Sequence, residues 1–483
     1  MTKKIFDINP KIPLRDIFGY LLFFALLLFL VLFYFTQIPT GLSAAEMTSA
    51  TISGNLTLSG WIPDQIIDLP YQFIQWLSFN FFDVSVFSIK LPSILMAILT
   101  GTMVLFIVRE LYNSKVAILT GLIVISSVLF ISLGRTGAPL IMPIFLSIVA
   151  MFATSRALRK TKHDLRWLIL AGVALALNIY SPMGIYLTVI LIGVAMFHPK
   201  VRFILSKSKL WKTIVTAVVL LLLITPLIIG IVRDPSVVMQ LLGISNFSFA
   251  LSDIKDNALA IFWPMSGEFT GIATPLLTMS LVAFMALGVV GAVDNFHSVR
   301  SYLSIPLFGV ILILSLFNSN AAPLLLVPVI LLTAIGINYL LNWWFMLFPR
   351  NPYAKAIGVI PLAILFGWVI LSGSTRYFET NFYDKNLAYD FYSGFDSAKE
   401  AVDGNEKKIL IVSKDQLEVD FYRTAFNSRA NVTVSGVVKP GVDKIILLPS
   451  AFDEIKDKKP SRIVTNRLRN DSEILRVFNT PTN

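Results

Sequence analysis

The sequence predicts an α-helical polytopic membrane protein with about 11 transmembrane helices and a small C-terminal α/β domain. The chain has 483 residues, of which 55% are hydrophobic and only 14% charged, whereas a soluble domain is about 25% charged. Its apolar runs are long enough to cross a hydrocarbon core of about 30 Å. Residues 373–483 differ, because they carry 17 of the 40 Lys and Arg residues and 16 of the 29 Asp and Glu residues.

Eleven apolar segments make up the predicted membrane domain, residues 1–372. They cover residues 17–36, 86–108, 115–133, 138–156, 166–181, 182–197, 213–232, 275–293, 302–317, 322–342 and 354–372. The stretch 166–197 is too long for one ordinary span and contains Ser181-Pro182 near its middle, so we divide it into two short helices. The alternative is one tilted helix kinked at Pro182, which would invert every later loop.

The distribution of positive charge tests that division. With the N-terminus inside and eleven spans, the inner segments carry 19 Lys and Arg residues, and the outer segments of the membrane domain carry only Lys90, Arg135, Arg233 and Lys255. Basic residues mark cytoplasmic loops. We therefore expect a multi-pass protein of the plasma membrane with a cytoplasmic N-terminus and an extracytoplasmic C-terminal domain.

Two outer loops are long enough to carry function. Outer loop one, residues 37–85, is predicted to hold one helix at 43–58 and an aromatic-rich helix at 64–82 that lies in the membrane interface. The second large outer loop, residues 233–274, contains an apolar patch too short to cross the membrane.

The soluble domain, residues 373–483, is predicted as a small α/β unit. Its predicted strands cover residues 407–412, 431–438, 444–448 and 462–464, and its predicted helix covers residues 415–426.

Several functional classes are excluded by composition. The chain contains no Cys, and His163, His198 and His297 all lie on predicted inner loops, so a zinc hydrolase is not expected. No Walker motif is present, which excludes ATP-driven transport. The net charge of +11 belongs to the inner loops of a membrane protein and does not indicate nucleic-acid binding.

The segment after the first span carries the main functional signal. It reads Gly41-Leu42-Ser43-Ala44-Ala45-Glu46. Ser43 and Glu46 have the spacing of a capping box that begins a helix. Glu46 therefore has two interpretations: it only caps this helix, or it is a catalytic carboxylate held at the membrane surface.

This arrangement resembles the glycosyltransferase C superfamily, and within it the protein O-mannosyltransferases and the lipid A aminoarabinose transferase. In that branch the first outer loop typically reads Gly-Leu-x-x-Asp-Glu-Ala. Gly41, Leu42 and Glu46 match, and Ala45 stands where Asp is usual. Further similar segments are Phe87-Ser88-Ile89-Lys90-Leu91-Pro92-Ser93, Leu133-Gly134-Arg135 and Asn178-Ile179-Tyr180-Ser181-Pro182.

The resemblance implies transfer of a sugar from a polyprenyl-phosphate-linked donor to an acceptor on the extracytoplasmic face, with inversion at the anomeric carbon. The acceptor is a protein, a lipid or a cell-surface glycan. Glu46 would remove the proton of the acceptor hydroxyl, and cations would stabilise the leaving phosphate. We expect Arg135 to be the phosphate ligand, with Arg233 and Lys255 as secondary candidates.

The remaining candidates are weaker. Asp64 and Asp68 would bind sugar hydroxyls or a possible divalent metal, and Tyr180 would line the cavity. Each has a structural alternative: Arg135 as a snorkelling cation at a helix end, Arg233 and Lys255 as surface charges, Asp64 and Asp68 as helix caps, and Tyr180 as a packed polar group.

Two other functions stay open at this stage. Ala45 is compatible with a catalytically inactive relative, and a membrane transporter or lipid flippase is the alternative from another class. No cofactor is certain. The expected partners are the lipid-linked donor, membrane lipids and an unknown acceptor.

Overall fold

The computed structural model of the protein describes residues 14–39, 41–56, 65–159, 164–206, 210–263, 272, 275–347, 353, 357–383, 394–403, 408–439, 442–455, 459–465 and 473–479. Helices dominate the membrane domain. Their bounds are α1 Leu14–Leu32, α2 Ala44–Gly54, α3 Leu69–Phe82, α4 Val86–Leu111, α5 Ser114–Ile125, α6 Val128–Arg135, α7 Met142–Ala157, α8 Asp164–Asn178, α9 Gly184–Phe197, α10 Pro199–Ser206, α11 Leu210–Arg233, α12 Ser236–Leu242, α13 Leu251–Phe262, α14 Met279–Asp294, α15 Val299–Phe317, α16 Leu326–Met346 and α17 Val359–Tyr383.

Each of the eleven predicted apolar segments contains helix. Within the described ranges, six helices are long and apolar enough to cross a membrane, and a seventh span results if α5 and α6, bent by 65° at their junction, are counted together. Shorter apolar helices lie at Asp16–Leu32, Gly184–Phe197 and Met279–Asp294. The helical membrane fold is therefore confirmed, and the number of eleven spans stays a prediction.

The division of the 166–197 stretch into two helices is confirmed. α8 ends at Asn178 and α9 begins at Gly184, with Met183 in the left-handed region at φ 60°. A Cβ at Gly184 would lie 2.1 Å from the Asn178 carbonyl oxygen, so the tight turn requires glycine there. The Asn178 amide donates to Ser147 Oγ, the Gly184 carbonyl and Thr188 Oγ1, which ties α7, α8 and α9 together.

Helix ends differ from the sequence expectations at two places. The last apolar helix does not end at residue 372 but continues to Tyr383. The interfacial helix begins at Leu69 with Pro70 in its first turn, because proline fits where no backbone donor is needed. The expected start near Asp64 lies outside the described residues.

The C-terminal domain is a mixed α/β unit. Its elements are α18 Phe395–Val402, β1 Ile409–Val412, α19 Gln416–Ala425, β2 Val432–Ser435, β3 Lys444–Leu447, β4 Arg462–Thr465 and β5 Glu473–Asn479. The strand order is β2-β1-β3-β5-β4. β1 is parallel to β2 and β3, whereas β5 is antiparallel to β3 and β4. The sequence analysis missed β5 and α18.

The C-terminal domain packs directly on outer loop one. A single apolar core joins Leu42 and Met47 of the α2 region to Phe395 and Phe421 of the C-terminal domain. Asn55 Nδ2 at the end of α2 donates to Thr424 Oγ1 at 3.3 Å. The domain therefore supports the helix that carries Glu46.

Candidate functional site

The first turn of α2 fixes Glu46. Ser43 is the N-cap, and its Oγ accepts from the Glu46 backbone N–H at 3.3 Å. In return, the Ser43 backbone N–H donates to Glu46 Oε2 at 2.8 Å. This is the capping box that the sequence predicted. Gly41, at φ 93°, adopts a backbone conformation that side-chain-bearing residues rarely reach.

A second loop holds the other carboxylate oxygen. The Gly137 N–H donates to Glu46 Oε1 at 2.6 Å across 91 residues of sequence. A Cβ at Gly137 would lie 2.8 Å from the Ile89 carbonyl oxygen, so only glycine allows this close approach. The Glu46 side chain is fully buried. Glu46 therefore caps α2 and also connects this helix to the loop that contains Gly137. The capping interpretation alone does not account for the second contact.

Gln75 of α3 holds this arrangement together. It is fully buried, and its Oε1 accepts from Ser49 Oγ at 2.8 Å and from Ser53 Oγ at 2.7 Å. Its amide nitrogen donates to the Ile89 carbonyl at 2.9 Å and the Gly137 carbonyl at 3.2 Å. The same Gly137 peptide unit thus binds Glu46 through its N–H and Gln75 through its carbonyl. A buried polar network that is fully satisfied fixes one geometry.

Lys90 is a buried cation beside this carboxylate. It lies in the second turn of α4, is fully buried, and its Nζ donates to the Pro39 carbonyl at 3.4 Å. It interacts electrostatically with Glu46, with Arg135 and with Asp396 of the C-terminal domain. The sequence analysis missed Lys90 as a site residue and counted it only within a motif. One signal could have identified Lys90: it is one of only four basic residues on the predicted outer side of the membrane domain.

Arg135, at the end of α6, is fully buried in the same region. One of its Nη atoms donates to the Phe33 carbonyl at the end of α1. Its guanidinium carbon lies 5.5 Å from the Tyr377 ring centroid and 5.4 Å from that of Phe378, within the range of cation–π attraction. Within the described part of the chain, its Nε and Nη1 atoms have no hydrogen-bond acceptor.

Asp68 lies at a junction next to this cluster. It is the N-cap of α3 in the left-handed region, at φ 55°, and its side chain makes no cap hydrogen bond. Its N–H donates to the Tyr180 carbonyl at 2.8 Å, and the Ser181 hydroxyl is near its carboxyl group. Burial raises the pKa of Asp68 to about 7, against a smaller opposing effect of Ser181. Tyr71, whose hydroxyl lies 2.7 Å from Ser93 Oγ, interacts with both Glu46 and Asp68.

The structure does not bring the other predicted residues to Glu46. The Tyr180 hydroxyl donates to the Leu223 carbonyl at 2.6 Å, so this side chain braces α11, which is the structural alternative left open above. Arg233 and Lys255 are exposed at the end of α11 and on α13, helices that pack mainly against α8 and α15. Asp64 lies outside the described residues. Among the described residues, no three His, Cys, Asp or Glu side chains form a group that could hold a metal ion.

The assembled site is a buried cluster of one carboxylate and two cations: Glu46, Lys90 and Arg135. Neutral donors surround the carboxylate, and backbone carbonyls bind the cations. If all three groups are charged, they carry one net positive charge, part of which is offset by Asp396, the acid of the C-terminal domain that interacts with Lys90. Buried charge without a counterion is costly, so the arrangement is suited to an anionic ligand.

Comparisons with known proteins find one family model and several similar folds. Residues 69–229 match a family model described as dolichyl-phosphate-mannose-protein mannosyltransferase. The fold is similar to that of ArnT from Cupriavidus metallidurans in the apo state, with a TM-score of 0.58 and 11% identity, covering 96% of this chain and 98% of that one.

Two further solved structures contain lipid phosphates. ArnT from the same organism bound to undecaprenyl phosphate matches with a TM-score of 0.58 and 11% identity, covering 95% of this chain and 97% of that one. The oligosaccharyltransferase AglB from Archaeoglobus fulgidus, in complex with an inhibitory peptide and a dolichol-phosphate, matches with a TM-score of 0.52 and 11% identity, covering 90% of this chain and 69% of that one. No curated protein matches the chain in sequence.

Proposed function

We propose that the chain is a membrane glycosyltransferase of the glycosyltransferase C superfamily and that it uses a polyprenyl-phosphate-linked sugar donor. The family-model match over residues 69–229 and the similarity of its fold to ArnT support this proposal. The chain transfers the sugar to a hydroxyl of a protein, lipid or cell-surface glycan on the extracytoplasmic face. The 19-to-4 distribution of basic residues supports this orientation, with the N-terminus in the cytoplasm and the C-terminal domain outside.

The observation that carries the proposal is the pair of buried cations, Lys90 and Arg135, beside Glu46. The Nε and Nη1 atoms of Arg135 have no acceptor at hydrogen-bond distance in the described structure, although the guanidinium interacts with Tyr377. Lys90 Nζ donates to the Pro39 carbonyl at 3.4 Å. A phosphate oxygen would complete both groups, since charge-assisted hydrogen bonds to phosphate are among the strongest in proteins. Undecaprenyl phosphate and dolichol-phosphate in the similar structures support a lipid phosphate as this ligand.

In the proposed reaction the acceptor hydroxyl attacks the anomeric carbon opposite the departing phosphate. Glu46 removes the hydroxyl proton, which contributes about 10²–10⁴-fold to the rate, and Lys90 and Arg135 stabilise the phosphate as its negative charge develops. A single displacement inverts the anomeric configuration. Glu46 is fully buried, so the acceptor must replace Ser43 or Gly137 as a partner of its carboxylate.

The test is transfer from labelled polyprenyl-phosphate sugars by the full-length protein in membranes or nanodiscs. We expect Glu46→Gln to reduce transfer about 10²–10⁴-fold while the protein stays folded. Its stability should fall by about 1–3 kcal/mol, because the amide has one acceptor oxygen for the N–H groups of Ser43 and Gly137. The matched control is Glu379→Gln, which removes an exposed acid on α17, two residues from the Tyr377 that contacts Arg135, and should leave transfer unchanged.

Each other outcome excludes part of the proposal. Transfer by Glu46→Gln at the wild-type rate would exclude Glu46 as the base. Absence of transfer by the wild type with every polyprenyl-phosphate sugar would favour the catalytically inactive relative, for which Ala45 is the supporting observation. Retention of the anomeric configuration in the product would exclude the single displacement.

A further inference from the structure

An apolar groove lies at the end of the helix bundle remote from Glu46. Its volume is about 310 Å³, and its lining includes Leu111 of α4, Thr154 of α7, Leu191 of α9 and Leu303 of α15. α7 begins at Met142, close to the Gly137 that contacts Glu46. At 1.5 Å per residue, Thr154 lies roughly 18 Å further along that helix. The groove is therefore separate from the proposed donor site.

The lining selects an apolar ligand. Fifteen of the seventeen lining residues are apolar, and only Thr154 and Ser155 carry a hydroxyl. Two of the lining side chains, Ile192 and Met196, are 39% and 61% exposed, so the groove opens onto the outer surface of the bundle. Its volume falls at the lower end of the range of about 300–1,000 Å³ that is usual for ligand pockets. A hydrocarbon chain entering from the bilayer fits both properties.

Arginines follow the groove lining at four points of the chain. Each comes directly after a lining residue, Ser155, Leu158, Val201 or Val299, so its backbone lies beside the groove; we call Arg156, Arg159, Arg202 and Arg300 the arginine rim. Clusters of basic residues between helices at a membrane surface are suited to anionic lipid headgroups.

The charges of the rim are only partly neutralised. Arg159 Nε lies 2.6 Å and Arg156 Nε 3.4 Å from the Glu110 carboxylate, so two cations share one anion. Arg300 lies over the Tyr112 ring at 4.2 Å, and Arg202 is exposed. His198, two residues after the lining residue Met196, is buried with an Nδ1 that has no hydrogen-bond partner in the described structure.

We propose that this groove binds an anionic phospholipid, with one acyl chain against the apolar lining and the phosphate on the arginine rim. A soluble phosphate compound would not use the apolar lining. A zwitterionic lipid carries a cation that would oppose the net positive charge of the rim. The site thus lies in the leaflet opposite the proposed sugar transfer.

The experiment is native mass spectrometry of the full-length protein, purified from nanodiscs that contain equal amounts of phosphatidylglycerol and phosphatidylethanolamine with the same acyl chains. We expect the wild type to retain phosphatidylglycerol preferentially. Ala195→Trp, which fills the groove, should abolish the retention. Its control is Val189→Trp, at an exposed site on the same helix, which should leave it unchanged.

A second pair of variants tests the headgroup without filling the groove. Arg156→Gln should reduce the preference for phosphatidylglycerol about fivefold, the contribution of one arginine at an anionic surface. Arg166→Gln, at an exposed position of the neighbouring α8, should not. Equal retention of both lipids by the wild type, equal retention by Ala195→Trp and the wild type, or displacement of the phospholipid by polyprenyl phosphate would overturn the proposal.

Discussion

Two clusters in the membrane domain each combine one carboxylate with two cations, and they accommodate the charges differently. At the end remote from Glu46, Glu110 pairs directly with Arg159 at 2.6 Å and Arg156 at 3.4 Å. The side chain of Arg156 is 38% exposed, whereas that of Glu110 is 2% exposed. The buried Glu110 carboxylate is thus held by direct ion pairs, so removal of one of its partners should lower stability.

The Glu46 cluster keeps its charges apart. Within the described residues, no ion pair of 4 Å or less joins Glu46 to Lys90 or Arg135. Backbone N–H groups and the Ser43 hydroxyl donate to Glu46 instead, and backbone carbonyls accept from Lys90 and Arg135. Neutral dipoles orient charged groups without cancelling them. The Glu110 carboxylate is held in direct ion pairs and leaves one positive charge at a partly exposed end of the bundle, whereas the Glu46 carboxylate is held by neutral donors, as a general base requires.

The largest effects should come from removal of one cation from each cluster, which tests whether the two clusters differ in function. Lys90→Met should reduce sugar transfer about 10²–10³-fold, because the leaving phosphate loses a charged partner. It should change the free energy of unfolding by less than about 1 kcal/mol, since methionine fills a similar volume without a buried charge.

Arg159→Met in the other cluster should have the opposite effects. It should leave transfer unchanged and lower stability by about 1–3 kcal/mol, because a hydrogen-bonded charge pair is lost. Transfer rates and melting temperatures of the two variants check both statements. Transfer by Lys90→Met at the wild-type rate would show that Lys90 does not stabilise the leaving phosphate.

The next largest effect should come from the network that supports Glu46. Gln75→Leu leaves two buried hydroxyls and two buried carbonyls without their partner, at a cost of about 1–3 kcal/mol for each unsatisfied group. We expect a large loss of stability and of transfer. Gln75→Glu keeps an acceptor for Ser49 and Ser53 but cannot donate to Gly137 while it is ionised, so its losses should be intermediate in thermal melting and in transfer assays.

Much of this architecture follows from local sequence patterns. Apolar length predicts the helices, Ser43 and Glu46 predict the capping box, and Ser181-Pro182 together with charge predicts the break between α8 and α9. These signals are local because they depend on neighbouring residues and on the thickness of a bilayer.

The partners of Glu46 were not predictable in the same way. Gly137 is 91 residues away, and nothing in its sequence neighbourhood distinguishes its N–H from that of other loop residues. Gln75 lies on a helix that sequence periodicity assigns to the membrane interface. The importance of Lys90 depends on its burial, which only tertiary packing determines. β5 was missed for a similar reason, because it is stabilised by pairing with β3 and β4.

A smaller effect should follow from crowding the Glu46 loop. Gly137→Ala would place a Cβ 2.8 Å from the Ile89 carbonyl oxygen, and overpacking of this kind costs about 1–3 kcal/mol. The loop must shift, so the Gly137 N–H moves away from Glu46 and transfer should fall.

Gly309→Ala on α15 is the matched control. Nothing lies within 4 Å of the Cβ that it would add, and alanine is favoured over glycine in a helix by about 1 kcal/mol. We expect Gly309→Ala to be neutral or stabilising and to leave transfer unchanged. Equal melting temperatures for the two variants would show that the 136–138 loop tolerates displacement and would weaken its assigned role in positioning Glu46.

A last prediction compares Glu46 with a second buried carboxyl group of outer loop one, Asp68. Three donors satisfy Glu46, whereas Asp68 Oδ1 has no hydrogen-bond partner in the described part of the chain. Burial raises the pKa of Asp68 from 3.8 to about 7. The folded protein therefore binds a proton there more tightly than the unfolded chain does.

Stability should be highest below about pH 4, fall as the pH rises towards 7, and level off above it as far as this group contributes. Asp68→Asn, a neutral isostere, should remove that contribution and raise the melting temperature at pH 8 but not at pH 4. A melting temperature of Asp68→Asn that follows the wild-type curve across this range would mean that the Asp68 carboxylate is ionised and paired in the folded protein.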